Sequence, residues 1–131
     1  MSDVVFHLFE TAAKPVAPYS HAVEAEGWVF LTGQIPNDPA DDALPLPEGI
    51  EAQTRQVMEN LKIVLANLNL GLEHVVAGRV FLTDFEQDYE AMNGVYESYF
   101  PADRRPARTC IGVTGLARSA LVEIDFIARR S

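Results

Sequence analysis

The stretch Arg108-Thr109-Cys110-Ile111-Gly112-Val113, if extended, alternates from side to side. That places Arg108, Cys110 and Gly112 on one face and Thr109, Ile111 and Val113 on the other. The last apolar stretch does the same, with Val122, Ile124, Phe126 and Ala128 on its greasy side and Glu123 with Asp125 on its acidic side. A hairpin folding about Leu116 and Ala117 would set Cys110 opposite Glu123 and Arg108 opposite Asp125. Two readings of these charges stand side by side. They pair with one another across strands, or the guanidinium offers its planar fork to a substrate carboxylate while a nearby carboxylate holds water and relays protons. The second arrangement would suit hydrolysis of a small amino or imino acid.

Other chemistries find less support. Cys110 has no histidine in its motif to activate it and reads as a small buried hydrophobe rather than a nucleophile. His7, His21 and His74 lack the close spacing of zinc ligands. The Asp38, Asp41, Asp42 cluster matches a calcium loop in charge alone, with the glycine and the distal glutamate misplaced. No metal is expected. There is no GxGxxG, Walker loop, GxSxG or HExxH to argue for nucleotide binding, serine hydrolysis or zinc proteolysis. By residue type alone Tyr19 is a loop aromatic, Thr32 a strand former and Asn93 a solvated helix residue.

These groups need a scaffold, and hydrophobic periodicity outlines one. Val4 to Phe9, Ser20 to Ala25 and Trp28 to Gln34 read as strands, the last two joined by a tight turn at Glu26-Gly27. The proline-rich, acidic segment from Ile35 to Gly49 reads as a surface loop. Ile50 to Leu70 carries Val57, Leu61, Val64, Leu65 and Leu68 at helical spacing, with Gly71 as its stop. A strand from His74 to Asp84, a helix from Tyr89 to Phe100 and two closing strands, expected to pair antiparallel, complete the order βββαβαββ. Two helices can cover only one face of such a sheet, yet Trp28 to Leu31 and Val75 to Ala77 are apolar on both sides. The open face should therefore meet other copies of the chain.

Composition bounds the rest. A chain of 131 residues, 48% hydrophobic, fits one domain spanning 1–131. Its net charge of −9 opposes nucleic-acid phosphates and anionic membranes, although six of the ten basic residues fall at Arg104 or later. No apolar run reaches the roughly 18 residues a membrane span needs. One cysteine, and an N-terminus without a secretory pattern, point to a reducing cytoplasm.

Seven blocks, in order, resemble the RidA (YjgF) family of reactive-intermediate deaminases. They are A-P-Y-S-H-A-V at 17–23, T-G-Q-I-P at 32–36, E-A-Q-T-R-Q-V-M-E-N-L at 51–61, V-F-L-T-D at 80–84, N-G-V-Y-E-S-Y-F at 93–100, R-P-A-R-T-C at 105–110 and L-V-E-I-D at 121–125. The resemblance implies a chorismate-mutase-like α+β fold, assembled as a homotrimer around a central barrel with clefts between subunits. It implies that Arg108 grips the substrate carboxylate, that the Cys110 backbone carbonyl and Glu123 hold the attacking water, and that Tyr19, Thr32, Gly33 and Asn93 line the cleft. The implied reaction hydrolyses 2-aminoacrylate or 2-iminobutanoate to a 2-oxo acid and ammonia, with neither metal nor cofactor. Relatives acting on 2-aminomuconate, and a non-catalytic trimer binding small carboxylates or a partner, are the alternatives. Ala17, His21 and Thr32 depart from the common Gly, Gln and Ser of the family, which would alter the cleft edge.

Overall fold

The computed structural model describes residues 3–131, so Met1 and Ser2, the start of the N-terminal stretch read above, lie outside the described residues. Six strands form one sheet: β1 (Val5–His7), β2 (Ala22–Ala25), β3 (Trp28–Gln34), β4 (Val75–Leu82), β5 (Ala107–Gly112) and β6 (Val122–Arg129). Helix α1 (Ile50–Asn67) connects β3 to β4, and α2 (Phe85–Glu97) connects β4 to β5. The expected order βββαβαββ is therefore the observed one. Among the described residues no helix is long and apolar enough to cross a membrane.

Local chemistry explains most boundaries. Glu26 (φ 53°) and Gly27 (φ 81°) both take left-handed conformations between the paired residues Ala25 and Trp28, the geometry of a two-residue hairpin turn. Helix α1 ends before Gly71 because Asn69 (φ 60°) already turns left-handed, and the Leu70 N–H bonds back to the Leu65 carbonyl. Helix α2 starts four residues before the expected Tyr89, since the Asp84 carboxylate accepts the Gln87 N–H and caps its first turn. Asn60, fully buried, donates to the carbonyls of Ile35 and Asn37 and so fixes the start of the proline-rich loop on α1.

The expected pairing of the last two strands is wrong. The sheet order is β1-β2-β3-β6-β4-β5, so β4 lies between β5 and β6, and β5 runs parallel to β4. Both ends of the β5–β6 connection grip the end of β4: the Val113 N–H donates to the Leu82 carbonyl and the Thr83 N–H to the Leu121 carbonyl. The chain thus steps over β4 instead of folding back beside β5.

Both helices cover one face, where Val57, Met58, Leu61, Val64 and Leu65 of α1 and Met92 of α2 pack on Val80, Leu82, Ile124 and Phe126. Large apolar side chains remain exposed on the opposite face, including Trp28, Phe30 and Ile111. Phe30 stands beside Ile127 in the β3–β6 register, next to Ala77 on β4.

Candidate functional site

The register decides where each expected site residue goes. Val80 pairs with both Cys110 and Ile124, and Gly78 with both Arg108 and Phe126, so the Arg108 and Cys110 side chains share the helix face with the core. Phe81 pairs with Glu123 and Arg79 with Asp125, which puts both acids on the open face. Two strand spacings, about 10 Å, also separate the β5 and β6 backbones. The opposed pairs Cys110–Glu123 and Arg108–Asp125 therefore do not form. The acid on β6 does make an ion pair, but with Arg79, whose guanidinium holds Asp125 through a bond of 2.7 Å from Nη2 and two of 3.1 Å from Nε.

The expected residues gather into two half-sites. In the first, Arg108 points toward Asn93 and Tyr96 of α2 in a cleft of about 340 Å³, also lined by Glu97, Arg105 and Pro106. Asn93, Tyr96 and Glu97 are three and four residues apart and so project from one side of the helix. Arg108 makes no ion pair among the described residues, and its one hydrogen bond is a long 3.9 Å contact from Nη1 to the Met92 sulfur. Beside it the Asn93 Oδ1 and the Tyr96 hydroxyl are buried with no hydrogen-bond partner among the described residues. The guanidinium and the Asn93 Oδ1, both short of partners in one cleft, are what a polar ligand would satisfy. The Val113 N–H points to β4, so by alternation the N–H and carbonyl of Cys110 point outward along the free edge of β5.

The second half-site surrounds a β-bulge. Leu31 pairs with Phe126 and Gln34 with Ile124, so Thr32 and Gly33 together oppose the single residue Asp125. The bulge brings Gly33 under the Glu123 carboxylate, where a Cβ would lie 2.3 Å from Oε2. Thr32 donates its hydroxyl to the Ser20 carbonyl at 2.6 Å, which ties the bulge to Tyr19. Tyr19 is itself held by the Val16 N–H, which donates to its hydroxyl at 3.1 Å. Thr32, Gly33 and Glu123 thus lie together, with Tyr19 one residue from the Ser20 carbonyl that Thr32 holds, and Asn93 lies with Arg108.

A family model described as Endoribonuclease L-PSP matches residues 9–130. The chain is 40% identical to a RutC family protein of Pyrococcus horikoshii over 128 residues, 98% of each chain. It is 39% identical to the 3-aminoacrylate deaminase RutC of Acinetobacter baylyi over 119 residues, 91% of this chain and 92% of that one. The crystal structure of RidA from an Antarctic Psychrobacter superposes with a TM-score of 0.88 at 32% identity, covering 96% of this chain and 99% of that one. This chain belongs to the RidA family.

Electrostatics differ between the two groups of residues in this RidA-family chain. Burial pushes the Glu123 carboxyl above the usual carboxylate range, and the negative charge of Asp125 adds to the shift. Burial also raises the Cys110 thiol, against the opposing pull of Arg108, which disfavours the reactive thiolate. His21 is not a cleft-edge group. It is 2% exposed, its Nε2 donates to the Ala13 carbonyl at 2.7 Å and its Nδ1 accepts the Phe9 N–H at 2.9 Å. It pins the segment after β1 to the sheet and also floors a hollow of about 410 Å³ lined by Leu8, Phe9 and Pro39. With both ring nitrogens satisfied, it offers nothing to a ligand there. Sequence reasoning missed Arg79, Tyr96, Glu97 and Arg105. The helical spacing of Tyr89, Asn93, Tyr96 and Glu97 was the available signal for the residues on α2.

Proposed function

We propose that this chain is a hydrolytic deaminase of small enamines and imines bearing a carboxylate, such as 2-aminoacrylate and 2-iminobutanoate, working without metal or cofactor. The observation that carries the reading is the half-buried Arg108 guanidinium, with no acid to neutralise it, beside the unpartnered Asn93 Oδ1 and Tyr96 hydroxyl. Its fork takes the substrate carboxylate in two parallel hydrogen bonds. Asn93 Oδ1 is an acceptor suited to the substrate N–H. Water held by the Cys110 carbonyl and the Glu123 carboxylate adds to the imine carbon, giving a carbinolamine. Glu123 passes that water's proton to the imine nitrogen, then takes the carbinolamine hydroxyl proton and gives it to the same nitrogen as the C–N bond breaks. An imino acid and water thus become a 2-oxo acid and ammonia; an enamine first takes a proton at its β-carbon to become the imine. Such imines hydrolyse unaided, so positioning can supply most of the assistance needed.

Because Arg108 and Glu123 face opposite sides of one sheet, the working cleft takes Arg108, Asn93 and the Cys110 edge from one copy and Glu123, Gly33, Thr32 and Tyr19 from the next. A homotrimer closing through the open apolar face supplies that arrangement. The name of the Acinetobacter relative supports deamination. The charge of −9 disfavours the ribonuclease activity in the family description. One observation favours a second substrate class. Arg105 lines the same cleft, tied only to Glu97 across 3.7 Å, and a second guanidinium there would suit a dicarboxylate such as 2-aminomuconate.

The test is a coupled assay in which a threonine dehydratase generates the imine and 2-oxo acid formation is followed with and without this protein. The parent accelerates it, Arg108→Lys loses about tenfold or more in kcat/KM, Arg108→Ala loses more, and Cys110→Ala stays near the parent. No acceleration by the parent would leave a carboxylate-binding protein, and a dead Cys110→Ala with a working Arg108→Ala would demand a thiol mechanism.

A further inference from the structure

Arg108 is seated on rings. Phe85 stacks on Tyr89 with centroids 4.6 Å apart, and the Arg108 Cζ lies 6.0 Å from the Tyr89 ring and 4.9 Å from the Tyr96 ring. Tyr96 in turn packs on Phe100 at 5.1 Å, and Phe100 meets Phe126 edge-on at 6.3 Å. The guanidinium joins two stacks of rings: exposed Phe85 with half-buried Tyr89 on the outer side, and Tyr96, Phe100 and Phe126, which are 5%, 6% and 1% exposed, on the inner side. The inner stack ends in the core of the sheet, so the ring under the guanidinium cannot drift.

How the guanidinium is held decides what it can still do. An arginine fixed by a carboxylate spends its N–H fork on that partner, whereas a ring attracts the planar face and leaves the N–H edge open. Arg108 is of the second kind: no acid pairs with it among the described residues, its guanidinium lies against the two tyrosine rings, and the only bond its fork makes there is the weak 3.9 Å contact from Nη1 to the Met92 sulfur. The Tyr96 hydroxyl has no partner among the described residues, so the ring and not the phenol oxygen does the holding.

We propose that Tyr96, flanked by Tyr89, is the positioning residue for Arg108: its ring fixes the guanidinium face so that the fork stands ready for the substrate carboxylate. This rests on the reading of Arg108 as the carboxylate anchor. Tyr96 acts through Arg108 and handles no reacting atom, so it contributes to ligand affinity rather than to the chemical step.

The experiment measures the Kd of 2-oxobutanoate, a stable 2-oxo acid, by calorimetry, together with kcat in the dehydratase-coupled assay, on the intact protein. Tyr96→Phe keeps the ring, and its Kd stays within about twofold of the parent. Its Tm does not fall, because the lost hydroxyl had no partner. Tyr96→Leu weakens 2-oxobutanoate about tenfold, with kcat within about threefold. If Tyr96→Leu does not fold, Tyr89→Leu at its half-buried position decides, with an expected loss of about threefold. The seat is overturned if the ringless variants bind like the parent, if Tyr96→Phe is damaged as badly as Tyr96→Leu, or if the parent does not bind 2-oxobutanoate. A parent that binds 2-oxobutanoate but leaves imine hydrolysis unaccelerated sinks the deaminase reading alone, and the Kd series still judges the seat.

Discussion

In the proposed mechanism Glu123 has to be ionised to hold and activate water, yet its burial and the nearby charge of Asp125 both favour the protonated form. A raised carboxyl is protonated at a higher pH than a free glutamate, so kcat/KM, corrected for spontaneous hydrolysis, declines on the acid side earlier than a solvent-exposed carboxylate would allow. Asp125→Asn removes one cause and also frees the positive charge of Arg79, so both consequences move the acid limb to lower pH. A pH–rate profile checks this, and an unmoved limb, or one shifted upward, would remove Glu123 from the water-activating role. Individual residues were legible in the sequence to different degrees. Alternation placed Arg108 and Glu123 on their strand faces, and the family resemblance alone implied their roles; their neighbours were not legible, because an ion pair between Arg79 and Asp125 depends on which strands are adjacent. His21 was misread because its two backbone partners, Phe9 and Ala13, are brought to it only by folding.

At the scale of elements, local signals served well wherever the structure is local. The Glu26-Gly27 turn, the apolar stripe of α1 and the alternation of β6 are all written in adjacent residues, and all three are found. The insertion of β4 between β5 and β6 is not local: a connection short enough for a hairpin instead crosses a strand whose end it grips on both sides. The bulge at Thr32 and Gly33 was hidden for the same reason, since it exists only against β6. It yields a prediction of its own. Gly33 has an ordinary backbone conformation, so Gly33→Ala leaves the strand intact and drives its new methyl into the flexible end of Glu123. Circular dichroism should match the parent while kcat falls about tenfold or more, as expected when a reacting group is displaced by about 1 Å. Parental kcat in folded Gly33→Ala would mean that Glu123 need not sit over the bulge.

At the scale of the molecule, the sheet has one face packed by helices and one carrying Trp28, Phe30 and Ile111 into solvent, and each face holds half of the candidate site. The two halves are useful together only if a second copy brings its Glu123 half against the Arg108 edge of the first. The claim that a cleft is shared between chains is tested most directly by mixing two inactive parents, Arg108→Ala and Glu123→Gln, unfolded together in equal amounts and refolded. In a ring of three with random composition, about one cleft in four receives an intact Arg108 from one chain and an intact Glu123 from its neighbour. The mixture should therefore recover about a quarter of parental activity, while each variant refolded alone recovers almost none. A mixture as inactive as its components would contradict the shared cleft and place both residues in the service of a single chain.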